Sequence, residues 1–157
     1  MKKTLPVVAL IGVIIISLIL VNKNKNTPIV TDTTVPEAIH VCYRYTDKDR
    51  AFLKLNITGN TVTGEYQNLP AEKDSKVGTF TGTVGAMDPK ISGRVADVWW
   101  NAKAEGTTVV EQLHVVFGEG SAIALFGEMI DRGDGTYVYK DVTKLTSGFQ
   151  MSQTDCI

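Results

Sequence analysis

Two cysteines and two histidines in 157 residues leave little material for metal or nucleophile chemistry. No Cys-x-x-Cys, His-x-His or His-x-x-x-His spacing occurs, so the compact metal-ligand patterns are missing. Ser121 lies in Gly-Glu-Gly-Ser-Ala, which lacks the G-x-S-x-G elbow and its strand-to-helix setting. No glycine-rich loop of the phosphate-cradling kind appears, and no cofactor is expected. Charge of one sign is also lacking: 16 Lys or Arg stand against 17 Asp or Glu, for a formal net of -1. That balance removes the basic excess by which nucleic-acid binders are recognised. Beyond residue 36 no stretch keeps a helical period over three turns, which excludes a helix bundle or a doubly wound α/β fold.

The hydrophobic residues that are present are divided between two textures. Residues 5–21 carry no charge, and 14 of those 17 are apolar. At 1.5 Å rise per residue such a run is just long enough to span a bilayer core of about 30 Å. Residues 1–4, with Lys2 and Lys3, form the short charged start that precedes it. The reading is an uncleaved signal anchor; the alternative is a cleaved signal peptide, although Leu18-Ile19-Leu20-Val21 offers no small-x-small site. Residues 22–36 are polar, Asn- and Thr-rich and punctuated by Pro28 and Pro36, and read as a flexible tether. From 37 to 157 lies a single domain with 12 Lys or Arg against 16 Asp or Glu, a net of -4. Bulk charge of that sign is repelled by phosphate backbones, so nucleic acid is not expected as a partner.

Within the domain the texture is that of short alternating runs separated by turn residues. Strands are predicted at 39–46, 50–58, 61–67, 77–85, 91–100, 107–117, 121–130 and 136–143. Leu53, Leu55 and Ile57 alternate with Phe52, Lys54 and Asn56, and Phe80, Gly82 and Val84 with Thr79, Thr81 and Thr83. Gly59-Asn60, Glu105-Gly106, Gly118-Glu119-Gly120 and residues 131–135 supply hairpin connections, which force antiparallel neighbours. The expected fold is an all-β antiparallel meander of about eight strands, a small closed or nearly closed barrel, with a two-sheet sandwich as the alternative. Cys42 lies on the first strand and Cys156 beyond the last. In a closed barrel these elements are neighbours, which predicts a Cys42–Cys156 disulfide and suits an oxidising compartment; two unrelated thiols are the alternative.

Four side chains stand out as possible contacts for a ligand or partner. Asp97 and Glu111 interrupt the apolar series Val95-Asp97-Trp99 and Val109-Glu111-Leu113. If their strands pair, both carboxylates could point into the barrel or toward one rim, where they could grip a ligand or do acid–base work. Trp99 and Trp100 must lie on opposite sheet faces, one in the core and the other outside. His40 and His114 fall inside strands and are expected to make single polar contacts. Arg132-Gly133-Asp134 spells an adhesion tripeptide, but Gly-Asp-Gly is also ordinary hairpin composition.

Several blocks resemble a group of uncharacterised bacterial cell-envelope proteins of Bacteroidetes type, commonly lipoproteins. They are Cys42-Tyr43-Arg44-Tyr45, LKLNITGNTVTGEYQNL at 53–69 and EKDSKVGTFTG at 72–82. VADVWWNAKAEG at 95–106 and VVEQLHVVF at 109–117 resemble the same group more loosely. The resemblance implies an envelope location and a small all-β domain, and it brings no catalytic residues. No lipobox cysteine follows the apolar run, which departs from the group. The expectation is a single-pass membrane protein with its C-terminal domain outside the cytoplasm. Its expected role is a non-enzymatic binding or envelope-maintenance module that meets an envelope protein or a small ligand. A carrier of a small apolar ligand inside the barrel is the alternative, and an enzyme using Asp97 and Glu111 comes last.

Overall fold

The structure is a computed structural model that describes residues 37–156. The signal-anchor segment at 5–21 and the tether at 22–36 lie outside the described residues. Ten strands form in chain order: β1 Ile39–Thr46, β2 Arg50–Thr58, β3 Thr61–Leu69, β4 Lys76–Val84, β5 Gly93–Ala104, β6 Thr107–Gly118, β7 Ser121–Phe126, β8 Met129–Asp131, β9 Thr136–Tyr139 and β10 Thr146–Thr154. Eight of them close into a barrel in the order β1-β2-β3-β4-β5-β6-β7-β10, with β10 returning to pair with β1. All eight seams of that ring are antiparallel. The chain is therefore an up-and-down meander interrupted once, between the seventh and eighth barrel strands.

That interruption differs from expectation. Residues 136–143 do not close the barrel; they supply the short β9, which pairs with β8 and runs parallel to β6 at Val110 and Glu111. The closing strand is β10, whose Ser-, Thr- and Gln-rich sequence carries only one fully buried side chain, Met151. The predicted strand 121–130 breaks in two at Gly127-Glu128. The chain turns away from the wall at Gly127, where an added Cβ would lie 2.6 Å from Leu145 Cδ2 and would displace that side chain.

Strand alternation sorts the side chains into an inner and an outer set. Tyr43, Leu53, Leu55, Tyr66, Phe80, Trp100, Leu113 and Met151 occupy the interior, each no more than 3% exposed. Tyr43 Oη donates across that interior to the Gly118 carbonyl at 2.9 Å, tying β1 to β6. Between β5 and β6 the turn residues Glu105 and Gly106 both take positive φ, 49° and 83°, as a tight two-residue hairpin requires. Cys42 is buried on the outer side of β1 and is bonded to Cys156, with Cα atoms 5.2 Å apart. The predicted disulfide therefore staples the seam at which the barrel closes, since Cys42 is opposite Thr154 in register.

Candidate functional site

The most distinctive opening arises because β6 has two different neighbours along one edge. From His114 to Phe117 that edge pairs with β7, whereas at Val110 and Glu111 it pairs with β9. Since β7 leaves the wall at Gly127, a notch of about 140 Å³ remains between the two, lined by both inner and outer side chains. Lys76, Glu111, Leu113 and Phe126 face it from the barrel, and Gln112, Met129 and Tyr139 from the β8–β9 hairpin side. Glu111 is inward by parity with Leu113 and Val115, and Lys76 Nζ reaches its carboxylate at 2.5 Å. The Glu111 side chain keeps 16% exposure and that of Lys76 39%, so the ion pair is half-desolvated at the mouth of a packed core.

Around this pair lie hydroxyl and amide groups that the protein satisfies unevenly. Tyr139 Oη donates to the Leu125 carbonyl at 2.7 Å, and its backbone N–H donates to Gln112 Oε1 at 3.2 Å. Asn68, opposite Lys76 in the β3–β4 register, has a buried Oδ1 with no partner, and Tyr66 Oη is likewise buried and unpartnered. Burial is the leading cause that raises the ionisation of Tyr43, Tyr66 and Tyr139 above the usual phenol value. Tyr139 is pushed up to about 12, with Glu111 adding to the burial and a backbone hydrogen bond from His114 opposing it.

A pH dependence follows from these three phenols. In the unfolded chain they ionise first, so the folded state binds more protons above about pH 10. The stability they confer is complete below about pH 10 and is lost as pH rises toward about 12. For Tyr139 alone the loss is about 1.4 kcal/mol per pH unit inside that window. Urea unfolding between about pH 9 and about pH 11.5 should show a falling midpoint; a constant midpoint over that range would mean that none of the three phenols is buried.

Asp97 and Glu111 do not come together, which corrects the expectation of convergent carboxylates. The register places Asp97 opposite His114 and Glu111 opposite Trp100, so the two acids lie on opposite faces of the same strand pair. Asp97 is outside with Val95 and Trp99, its side chain 55% exposed, and Glu111 is inside. Asp97 Oδ1 meets His114 Nδ1 at 2.6 Å. The Tyr139 ring packs over His114 at 5.3 Å between centroids, and His114 Nε2 is buried without a partner. The nitrogen that a general base would present to a substrate is thus sealed under the β8–β9 hairpin.

The remaining candidates fall where strand geometry requires. Trp100 is in the core, 1% exposed, with Nε1 donating to the Gly78 carbonyl at 3.1 Å, and Trp99 is on the outer surface at 38%. His40 makes one side-chain contact, Nδ1 to Asn56 Oδ1 at 2.7 Å. In the tripeptide loop the Asp134 carboxylate accepts from the Thr136 N–H and hydroxyl, which holds its ionisation below the usual carboxylate range. That carboxylate closes its own turn. Among the described residues no group of three or more His, Cys, Asp or Glu side chains could hold a metal ion. Lys76 and Tyr139 had no signal in the sequence, because each reaches the notch from a strand distant in the chain from Glu111. Comparison with protein-family models, curated proteins and solved structures returns no match to this chain.

Proposed function

We propose that the domain is a binding module of the bacterial cell envelope, held at the membrane by residues 5–21, which grips its partner at the notch between β7 and β9. The observation that carries this reading is the contrast between an interior of buried large side chains and a break in the wall that exposes the Lys76–Glu111 ion pair. Burial of Tyr43, Leu53, Leu55, Phe80 and Leu113 inside the barrel supports binding at the wall over the carrier alternative. Leu125 is on the outer side of β7, where its carbonyl accepts from Tyr139 Oη. Separation of Asp97 from Glu111, together with the covered His114 Nε2, favours binding over acid–base chemistry. The notch is large enough for the end of one partner side chain, which Glu111 and Lys76 would orient.

A photo-crosslinking residue at Met129, on the notch, tests this against the same residue at Thr81, on the outer face of β4. In intact envelopes, position 129 should give a discrete adduct that position 81 does not, and Glu111→Gln should reduce it several-fold. Equal capture from both positions, or capture indifferent to Glu111→Gln, would remove the notch from consideration.

A further inference from the structure

The outer face of β10, β1, β2 and β3 carries a charge opposite to that of the domain as a whole. Alternation places Arg44 of β1 and Arg50 and Lys54 of β2 outward, with Glu65 of β3 the one acidic strand residue on that face. Arg44 lies opposite Phe52 in register and its guanidinium sits 5.6 Å from the ring centroid. Arg50 lies opposite Thr46, diagonal to Arg44, a relation that separates Cα atoms by about 7–8 Å. Neither guanidinium pairs with a carboxylate among the described residues. Asp49, the turn acid next to Arg50 in sequence, accepts the Ala71 N–H at 2.7 Å.

Two shallow grooves meet at Arg44. One, of about 450 Å³, adds Thr46, Arg50, Phe52 and Gln67; the other, of about 380 Å³, adds Gln150, Ser152 and Thr154. Two unpaired guanidinium forks set in neutral hydroxyls and amides form a surface that can take carboxylates bidentately and hydrogen-bond the groups between them. We propose that this face binds a carboxylated polysaccharide.

The occupant follows from what the face contains and what it lacks. Protein partners are anchored by exposed apolar and aromatic side chains. The large hydrophobic residues that this domain exposes most are Ile39, Met87, Ile91, Trp99, Ile130 and Val142, and none of them lines either groove. The first groove's own Tyr45, Phe52 and Leu69 are half-buried, Tyr45 stacked on Phe149 and Phe52 beneath the Arg44 guanidinium. A nucleic acid presents one charge per about 1.7 Å of duplex. So dense an anion is opposed by the 16 Asp and Glu of a domain that holds only 12 Lys and Arg. A glycan with spaced carboxylates and many hydroxyls meets both the forks and the amides. This surface is separate from the notch, so Glu111→Gln is predicted to leave it unaffected.

Calorimetry on the full-length protein in detergent tests the proposal with polygalacturonate as probe. Dextran, polyglutamate and an oligothymidylate serve as the neutral-sugar, acidic-peptide and nucleic-acid comparisons. Polygalacturonate should bind while the other three bind at least tenfold more weakly. Arg44→Glu or Arg50→Glu should each weaken it about tenfold, the effect of removing one charge-assisted hydrogen bond. Arg44→Gln and Arg50→Gln should follow the same direction with unchanged circular dichroism, and Lys103→Glu, a like reversal on the outer face of β5, should stay within twofold. Undiminished binding by the arginine variants, or polyglutamate or oligothymidylate binding as tightly as the polysaccharide, would overturn it.

Discussion

Removing the Cys42–Cys156 bond lowers the unfolding free energy of the barrel by about 4–5 kcal/mol on the chain-entropy relation for so long a loop. The two cysteines are 114 residues apart, so the crosslink restricts nearly the whole domain in its unfolded state. The bond also lies where the wall is weakest. β1 and β10 share three register pairs, Cys42–Thr154, Tyr43–Gln153 and Arg44–Ser152, whereas β2 and β3 share nine. Most other seams of the ring are made by strands adjacent in sequence, joined by local turns; this one joins the two ends of the domain. Against a typical total of about 5–15 kcal/mol, the loss leaves little margin. Cys42→Ser/Cys156→Ser should show a lower urea midpoint than the oxidised protein, followed by tryptophan fluorescence, and a steeper dependence on urea because its unfolded chain is more expanded. Equal midpoints would mean that the β1–β10 pairs alone hold the barrel closed.

The same seam shows how far the sequence can be read. β1 and β2 match their predicted spans residue for residue, because clear alternation and a charged turn bound them. β10 was invisible for the opposite reason: Thr146–Thr154 presents mostly Ser, Thr and Gln, and a register shift between Ser147 and Gln150 breaks its period. Its place is set from outside, by β7 on one edge and by β1 and the disulfide on the other. The facing of β5 was ambiguous in a different way. Val95, Asp97 and Trp99 alternate with Ala96, Val98 and Trp100, so both registers show an apolar series, and a slip of one residue exchanges them. What decides is volume: Trp100 enters the interior beside Ala102 and Gly78, where small residues leave room for an indole. Asp97 and Glu111 separate for another reason: the two-residue turn at Glu105-Gly106 pairs Asp97 with His114 and Glu111 with Trp100, which puts the two acids on opposite faces whichever face turns inward. The Glu111 notch was half legible, as a carboxylate interrupting an inward apolar series; its Lys76 partner and its opening depend on distant pairing.

Placing alanine at Gly64, Gly78 or Gly82 should each cost about 3 kcal/mol or more, at the upper end of the cost of overpacking. A Cβ at Gly64 would lie 1.9 Å from the Lys54 carbonyl oxygen, one at Gly78 1.9 Å from that of Asn101, and one at Gly82 2.1 Å from that of Asp97. These are backbone atoms within the sheet, so no side-chain rotation relieves the contact; the β2–β3 or β4–β5 seam itself must move. The three glycines surround Phe80, since Gly64 is its direct cross-strand partner and Gly78 and Gly82 flank it on β4. Close backbone approach at such positions lets strands coil sharply enough to close a small barrel, and the large rings of Phe80 and Trp100 fill the space that the missing side chains leave. Alanine at Gly106 provides the contrast. Nothing lies within 4 Å of its added carbon, but φ there is +83°, so the cost should be only about 1 kcal/mol, from backbone strain alone. Thermal unfolding followed by near-ultraviolet circular dichroism separates the two cases, because the Trp100 indole donates to the Gly78 carbonyl and reports on that corner directly. The interior variants should lose about 10 °C or more and the Gly106 variant a few degrees. Equal losses at all four positions would show that glycine serves only backbone freedom here, and that the β3–β4 corner is not where the barrel acquires its curvature.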